Sequence, residues 1–265
     1  MKIATFNVNS INARIENLVD FLSLAKPDIV LLQEIKTEFD NFPFFELKSA
    51  GYEAKILGQK SYNGVAILST KKINVTQENL PNFPDENARY LEAKIEFGAS
   101  NLRVASLYLP NGNPPYNNPD DDSKFHYKLK FMDALYRHMK DILNLRENFV
   151  LGGDFNIIFS DFDVYNPDMF RNNALCREEA REKFAALKYI GLHDAFRTLH
   201  KNANGYTYWD YSGGAFAADL GMRIDYLMLS ALMTDKLSKC EVDRCQRAKP
   251  KPSDHTPLIA EFRGF

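Results

Sequence analysis

No stretch of about 18 apolar residues occurs in the 265-residue chain, so no membrane span is expected. Cysteine is scarce: Cys176, Cys240 and Cys245 are too few for a disulfide framework, and none stands in a CxxC zinc pattern. They read as reduced, mostly structural thiols. Met1 to Ser10 lacks the apolar core of a signal peptide and runs straight into strand-like alternation, which predicts a cytoplasmic protein. A large excess of either charge is also missing. The formal net charge of −2 does not advertise a nucleic-acid partner, although clustered acids lower that total while local basic patches still meet phosphates. Tryptophan occurs once, against 20 Phe and 13 Tyr, so cores and grooves must be built from those two rings.

What the chain does have is a set of acids, amides and one imidazole, each placed where an apolar run ends. Its main members are Asn7, Glu34, Asp154, Asn156, Asp225, Asp254 and His255. In an α/β protein, strand ends converge on one rim and the loops there carry the chemistry. Several carboxylates on one rim repel: two unit charges ~4 Å apart interact by roughly 4 kcal/mol at an effective dielectric near 20. A divalent cation relieves that repulsion, and the economical reading is a metal-dependent hydrolase.

Hydrophobic periodicity places these residues. Lys2 to Val8 alternates as a strand, and Asn12 to Ala25 shows helical spacing with Ile15, Leu18, Val19 and Leu22 on one face. Asp28 to Glu34 reads as a buried strand and Phe39 to Ala50 as a helix stopped by Gly51. Strands around 64–69, 90–97 and 102–109 follow one another without helices, which suggests antiparallel pairing. A loop over 110–123, a long helix over 124–145 and a strand over 148–155 come next. The segment 157–175 reads as an ordered surface loop and 177–190 as a helix; a strand and a Gly-rich loop then lead to strands over 223–230 and 257–262. No composition break divides the chain. The expectation is one α/β domain over 1–265, a sandwich of two mixed sheets packed face to face with helices outside.

The sharpest motif is Val150-Leu-Gly-Gly-Asp-Phe-Asn156. Its glycines let a ligand or a neighbouring backbone approach closely. Asp154 and Asn156 share a side by strand alternation, and a carboxylate beside an amide can activate water and hold a phosphate oxygen. The plainer alternative is an Asx turn at a strand end. In Ser253-Asp-His255, adjacent side chains of extended chain face opposite ways. Asp254 therefore suits a metal and His255 needs an orienter from elsewhere, for which Asp225 is the candidate. The other histidines (His126, His138, His193, His200) read as structural. Glu34 suits Mg²⁺, which takes one or two protein carboxylates, and Asn7 and Asn9 lie beside it. Tyr108, at a strand end, can reach a phosphate oxygen.

These segments, in this order and spacing, resemble the exonuclease III family of abasic-site endonucleases within the endonuclease/exonuclease/phosphatase superfamily. The resemblance runs through Phe6-Asn-Val-Asn9, Leu32-Gln-Glu-Ile-Lys36, Tyr62-Asn-Gly-Val-Ala66, Leu107-Tyr-Leu-Pro-Asn111, Gly153-Asp-Phe-Asn156, Tyr206-Thr-Tyr-Trp-Asp-Tyr211, Arg223-Ile-Asp-Tyr226 and Ser253-Asp-His255. It implies a four-layer α/β sandwich and Mg²⁺-dependent hydrolysis, with Mn²⁺ as a substitute, 5′ to abasic sites in double-stranded DNA. It further implies 3′-5′ exonuclease and 3′-phosphodiesterase or phosphatase action on blocked 3′ ends, by a monomer working at DNA. It places Asn7, Glu34, Asp154, Asn156 and Asp254 at the metal. Tyr108, Asp154, Asn156, Asp225 and His255 become the catalytic set, Asp154 acting on the water, Asn156 on the phosphate and Asp225 on His255. Substrate contacts fall on Asn9, Arg14, Lys36 and Asn111, and Tyr208, Met222 and Ile224 wall a pocket for the extruded sugar. Relatives often carry a larger aromatic where Met222 stands, and 159–176 matches them poorly. Another phosphoesterase of the superfamily would keep the acids but lack the 206–226 segment. A non-catalytic DNA-binding module on a decayed fold would have lost an acid or the imidazole.

Overall fold

The computed structural model describes residues 1–98 and 100–265. In chain order its strands are β1 (Lys2–Asn7), β2 (Ile29–Gln33), β3 (Glu53–Leu57), β4 (Val65–Ser69), β5 (Ile73–Glu78), β6 (Tyr90–Phe97), β7 (Ser100–Tyr108), β8 (Asn148–Asp154), β9 (His193–Asp194), β10 (Asp225–Leu229), β11 (Leu237–Val242) and β12 (Leu258–Phe262). Helices are α1 (Ile15–Ala25), α2 (Phe44–Ser49), α3 (Ser123–Asn144), α4 (Pro167–Phe170), α5 (Glu178–Tyr189), α6 (Ala195–Leu199) and α7 (Ala231–Thr234).

The strands form two six-stranded sheets, ordered β11-β12-β1-β2-β4-β3 and β5-β6-β7-β8-β10-β9. Both are mixed, because β1–β2 and β7–β8 run parallel while their neighbours pair antiparallel. Strand alternation divides the core into layers. Ile3, Leu31, Ile67, Val104, Val150 and Leu227 meet between the sheets. Ala4, Phe6, Val30 and Leu32 face outward onto Leu18, Phe21 and Leu22 of α1. On the other side Leu107, Phe149, Leu151 and Met228 pack on Phe131, Leu135 and Met139 of α3 and Phe184 and Leu187 of α5. This is the α/β sandwich expected, and truncating a buried ring such as Phe184 costs about 3–5 kcal/mol.

The expected 39–50 helix is a 3₁₀ turn, Phe39–Asn41, followed by α2. Pro43 has no amide N–H and biases Phe42 toward extended backbone, seen at ψ 136°, so the helix restarts. The first helix begins three residues later than its periodicity suggests and ends where Lys26 turns left-handed ahead of Pro27. The surface segment 157–175 contains a 3₁₀ turn at Asp161–Asp163 and the one-turn α4. The glycines of β8 serve neighbouring protein. A Cβ at Gly153 would stand 1.9 Å from the Leu107 carbonyl oxygen, and one at Gly152 would strike Leu31 across the interface.

Candidate active site

Strand register puts the site in a row. In parallel pairing Tyr108 stands opposite Asp154, and in antiparallel pairing Asp225 stands opposite the same residue. The other sheet ends its central strands beside them, with Asn7 opposite Gln33. Asn7 links the sheets, since its Nδ2 donates to Glu34 Oε1 at 2.8 Å and to Asp154 Oδ2 at 3.0 Å. Just beyond the strands, Asn9, Glu34, Lys36 and Asn156 all hold φ between 44° and 53°. Left-handed backbone is uncommon for such residues and costs of order 1 kcal/mol or more each. It reverses the chain abruptly enough to leave these side chains at the rim.

The buried imidazole completes the row. His255 Nδ1 lies 2.8 Å from Asp225 Oδ2, and Nε2 lies 3.7 Å from Asp154 Oδ2. The edge of the Tyr208 ring packs on it at 5.0 Å. Burial opposes charge on His255, but Asp225 and Asp154 outweigh it and push the imidazole up to about 10. Asp154 moves the other way from comfort. Burial, with Asp225 and Glu34 adding like charge against the pull of His255, raises it to about 7. Burial also acts against charge on Glu34, yet hydrogen bonds from Asn7 and Lys36 hold it below the ordinary carboxylate range. Tyr108 is kept protonated by burial and by the charges of Glu34 and Asp154.

One ligand atom each from Glu34, Asp154 and His255 lie within 4.8 Å of one another. Asp225 Oδ1 is buried without a hydrogen-bond partner. The carboxylates of Glu34 and Asp154, only partly neutralised, fit a hard divalent cation, beside which the protonated His255 would stand without ligating it. Asp254 stands outside that trio and accepts from Asn9 Nδ2 at 3.0 Å.

The trio opens into a cavity of about 310 Å³ lined also by Tyr108, Asn111, Asn156, Tyr208, Met222, Ile224 and Asp254. Asn156 is fixed twice: its Nδ2 donates to the Leu109 carbonyl at 2.9 Å, and its Oδ1 accepts from Asn111 Nδ2 at 3.1 Å. Its backbone N–H donates to Asp154 Oδ1 at 2.9 Å, so the Asx turn is present together with the shared orientation of the two side chains. Met222 and Ile224 belong to an apolar wall with Val164 and Leu175, onto which Phe170 and Tyr208 pack. Asn9, Arg14 and Lys36 do not line the cavity. They form an adjoining ledge where Lys36 Nζ meets Glu34 Oε2 at 2.8 Å, and Arg14 donates to the Asn9 carbonyl and, at 3.2 Å, to the Tyr211 hydroxyl.

Sequence reasoning did not find Lys128, Asn113, Phe170, Asn173 or Leu175. The last four line the cavity, Phe170 from the end of α4 and the others from loops, and nothing in their local pattern marks them. Lys128 is fully buried in α3 and donates to the carbonyls of Asn111, Asn156 and Ala174. Burial pulls it down to about 7, yet three carbonyl acceptors require the ammonium, since a neutral amine has two N–H groups. Its signal was available: a lysine three residues before Phe131 sits on the apolar stripe of α3 instead of the polar face. His138, read as structural, is buried and lies 2.9 Å from Glu92.

Comparison with known proteins decides the ancestry of this arrangement. The sequence profile of the endonuclease/exonuclease/phosphatase family matches residues 4–255. The chain belongs to this family. Within it the chain is 31% identical over 271 residues to the exodeoxyribonuclease III of Haemophilus influenzae, covering 99% of this chain and all of that one. A solved AP endonuclease from Archaeoglobus fulgidus superposes with a TM-score of 0.92 at 34% identity, covering 100% of both chains. A 3′ phosphatase from Neisseria, solved with a product DNA hairpin, superposes with a TM-score of 0.92 at 36% identity and the same full coverage. No helix among the described residues is long and apolar enough to cross a membrane.

Proposed function

We propose that residues 1–265 act as one monomeric catalytic unit, a DNA-repair nuclease that cuts the phosphodiester 5′ to abasic sites in duplex DNA and clears blocked 3′ ends. The work would be done at DNA in the cytoplasm, with Mg²⁺ as the ion and Mn²⁺ as its substitute. The observation that carries this reading is the acid-heavy trio Glu34, Asp154 and His255, backed by Asp225 and opening into a cavity with an apolar wall. The exodeoxyribonuclease III and AP endonuclease likenesses support it.

Glu34, Asp154 and the amide of Asn7 would hold the ion, with Asn156 and Asp254 at its margin. Bound there, Mg²⁺ would neutralise phosphate charge and help align water for in-line attack. Asp154, poised near neutrality, accepts or orients the proton of that water. His255 would enter as a cation because Asp225 accepts from its Nδ1–H, and its Nε2–H, 3.7 Å from Asp154 Oδ2, would donate to a phosphate oxygen. Tyr108 stays protonated and donates to the phosphate or the departing oxygen. Asn156, held by Leu109 and Asn111, offers its remaining amide hydrogen to a second phosphate oxygen. Tyr208, Met222 and Ile224 receive the bare sugar. An abasic nucleotide costs little to extrude because no base must be unstacked, and an apolar wall suits a ring with no base-pairing edge. Asn9, Arg14, Lys36 and Asn111 meet the flanking backbone.

The decisive experiment gives the protein a duplex with one tetrahydrofuran abasic analogue. Incision on the 5′ side with Mg²⁺, and none in EDTA, is the expected result. No incision, with turnover instead of phosphoinositides or RNA tails, rejects the reading.

A further inference from the structure

We infer that Lys128 is a positioning residue for the amides of the cavity, fastening through one buried ammonium the three loops that carry them; the inference rests on the nuclease reading above. Its Nζ donates to Asn111 O at 3.0 Å, Asn156 O at 2.7 Å and Ala174 O at 3.1 Å. These carbonyls belong to the loop after β7, the loop after β8 and the far end of the 157–176 segment. All three ammonium hydrogens are thereby used, and the side chain has no exposed surface. Burying an ammonium is costly unless every hydrogen finds an acceptor. Loss of any one loop from this arrangement would strand the charge, so the three loops are held as a set.

The packing around the lysine shows that the loop after β7 is built to it. Gly112 adopts φ +86°, and a Cβ there would lie 2.7 Å from Lys128 Cδ and 3.3 Å from Ala174 Cβ. The fastened loops then bond to one another above the ammonium. Asn111 Nδ2 donates to Asn156 Oδ1 at 3.1 Å, and the Ala174 N–H donates to Asn113 Oδ1 at 3.0 Å. Asn111, Asn113 and Asn156 all line the cavity, and each depends on a loop held by Lys128. The ammonium itself touches no part of the cavity, so its influence on a phosphate must run through these amides.

The experiment compares wild type with Lys128→Met, which keeps the chain's bulk and removes its donors. On the abasic duplex kcat is expected to fall about 10- to 100-fold, the scale of a misplaced positioning group, with KM changed less than about threefold. Combined with Asn156→Ala, the lysine change should cost less than it does alone, because Asn156 is one of the amides through which it acts. A folded Lys128→Met protein with unchanged kcat, or with an equal loss in the Asn156→Ala background, overturns the inference. Amide hydrogen exchange supplies a readout independent of turnover. Faster exchange confined to 111–113 and 172–176 supports the inference, and a variant exchanging like wild type there refutes it, whether or not the wild-type chain incises DNA. If Lys128→Met does not fold, Gly112→Ala crowds the lysine instead. Non-additivity of Gly112→Ala with Asn156→Ala then supports the inference, and additivity refutes it.

Discussion

Two buried ionic clusters in this protein differ in one respect. Beneath the apolar wall, Arg223 reaches Asp163 at 2.7 Å and Asp194 at 2.8 Å, and Arg197 pairs with the same Asp163. Two acids face two guanidiniums, and although burial works against charge, the arginines hold Asp163 below the usual carboxylate range. At the strand ends, the ion pairs of Glu34, Asp154 and Asp225 among the described residues are with Lys36 and His255, no guanidinium joins them, and Asp154 is driven upward. The first cluster has settled its charges. The second is left wanting a cation and a substrate, which is how a site differs from a strut. Burial of the central acids does not distinguish them, because Asp154 and Asp225 are as inaccessible to solvent as Asp163 and Asp194.

The comparison breaks most sharply on substitution. Asp154→Asn should abolish cleavage, lowering kcat by about 10³-fold or more, while the fold survives. Asp163→Ala should do the reverse. It leaves Asp194 alone to face Arg223 while Arg197 loses its acid, and costs about 3–5 kcal/mol, lowering Tm by roughly 6–20 °C for a chain of this size. A melt and a single-turnover rate on each variant are the test. Two variants that lose stability and rate alike would erase the distinction.

Removal of divalent cations comes next. A ligand present at 100 times its Kd stabilises by about 2.7 kcal/mol, so saturating Mg²⁺ should raise Tm by several degrees in wild type. The rise should vanish in Glu34→Gln. The same imbalance sets a pH trend. Asp154, raised from 3.8 to about 7, binds a proton that the unfolded chain has already released, so folding stability falls as pH climbs through that window. His255, raised from 6.5 to about 10, gives stability that is full below 6.5 and is lost as pH rises toward 10. The two slopes share a sign. Metal-free protein should therefore melt at progressively lower temperature from pH 5 to pH 10, and Mg²⁺ should flatten the trend. Glu92 acts in the opposite sense. Burial raises it, but His138, Thr76, Tyr90 and Arg103 prevail and lower it from 4.5 to about 2. Its contribution is present above pH 4.5 and lost below, and Glu92→Gln should blunt acid unfolding in a pH-dependent melt.

How legible each region was in the sequence follows from the same physics. The central strands were readable because both of their faces are buried, which produces apolar runs that end at Asn7, Glu34 and Asp154 or, for the antiparallel β10, begin at Asp225. The edge strands β3, β5 and β11 were not anticipated. Glu53–Leu57 is half-exposed throughout, and Ile73–Glu78 and Leu237–Val242 bury one residue each. With so little burial there is no alternation to read, and their pairing is dictated by the neighbouring strand. The site residues at strand ends inherited the legibility of their strands; strand geometry set Asp254 aside as the orienter of His255 and left Asp225, at another strand's end, as the candidate. The loop asparagines were hidden because their partners are backbone groups and one another, which leave no trace in residue identity, whereas Lys128 showed only as a lysine on the apolar stripe of α3. Arg223 was visible only as a flank of Asp225, and its pairing with Asp163 joins residues 60 positions apart.

The smallest expected effect concerns the apolar wall. Met222 pairs across an isolated bridge with Tyr208 and another with Val164, so its backbone is held while its unbranched side chain faces the cavity. Truncation by Met222→Ala should leave those backbone bonds intact and widen the pocket by the volume of a thioether. A hydrophobic pocket discriminates by about 1–3 kcal/mol for each small group it must exclude. The abasic analogue should be cut at close to the wild-type rate, within about threefold. Discrimination against a nucleotide that still carries its base should fall about tenfold, because the enlarged wall no longer rejects the added ring. Competition between abasic and intact duplexes in one reaction measures that ratio directly. An unchanged ratio would move the selectivity away from this wall and onto the cost of extruding the nucleotide.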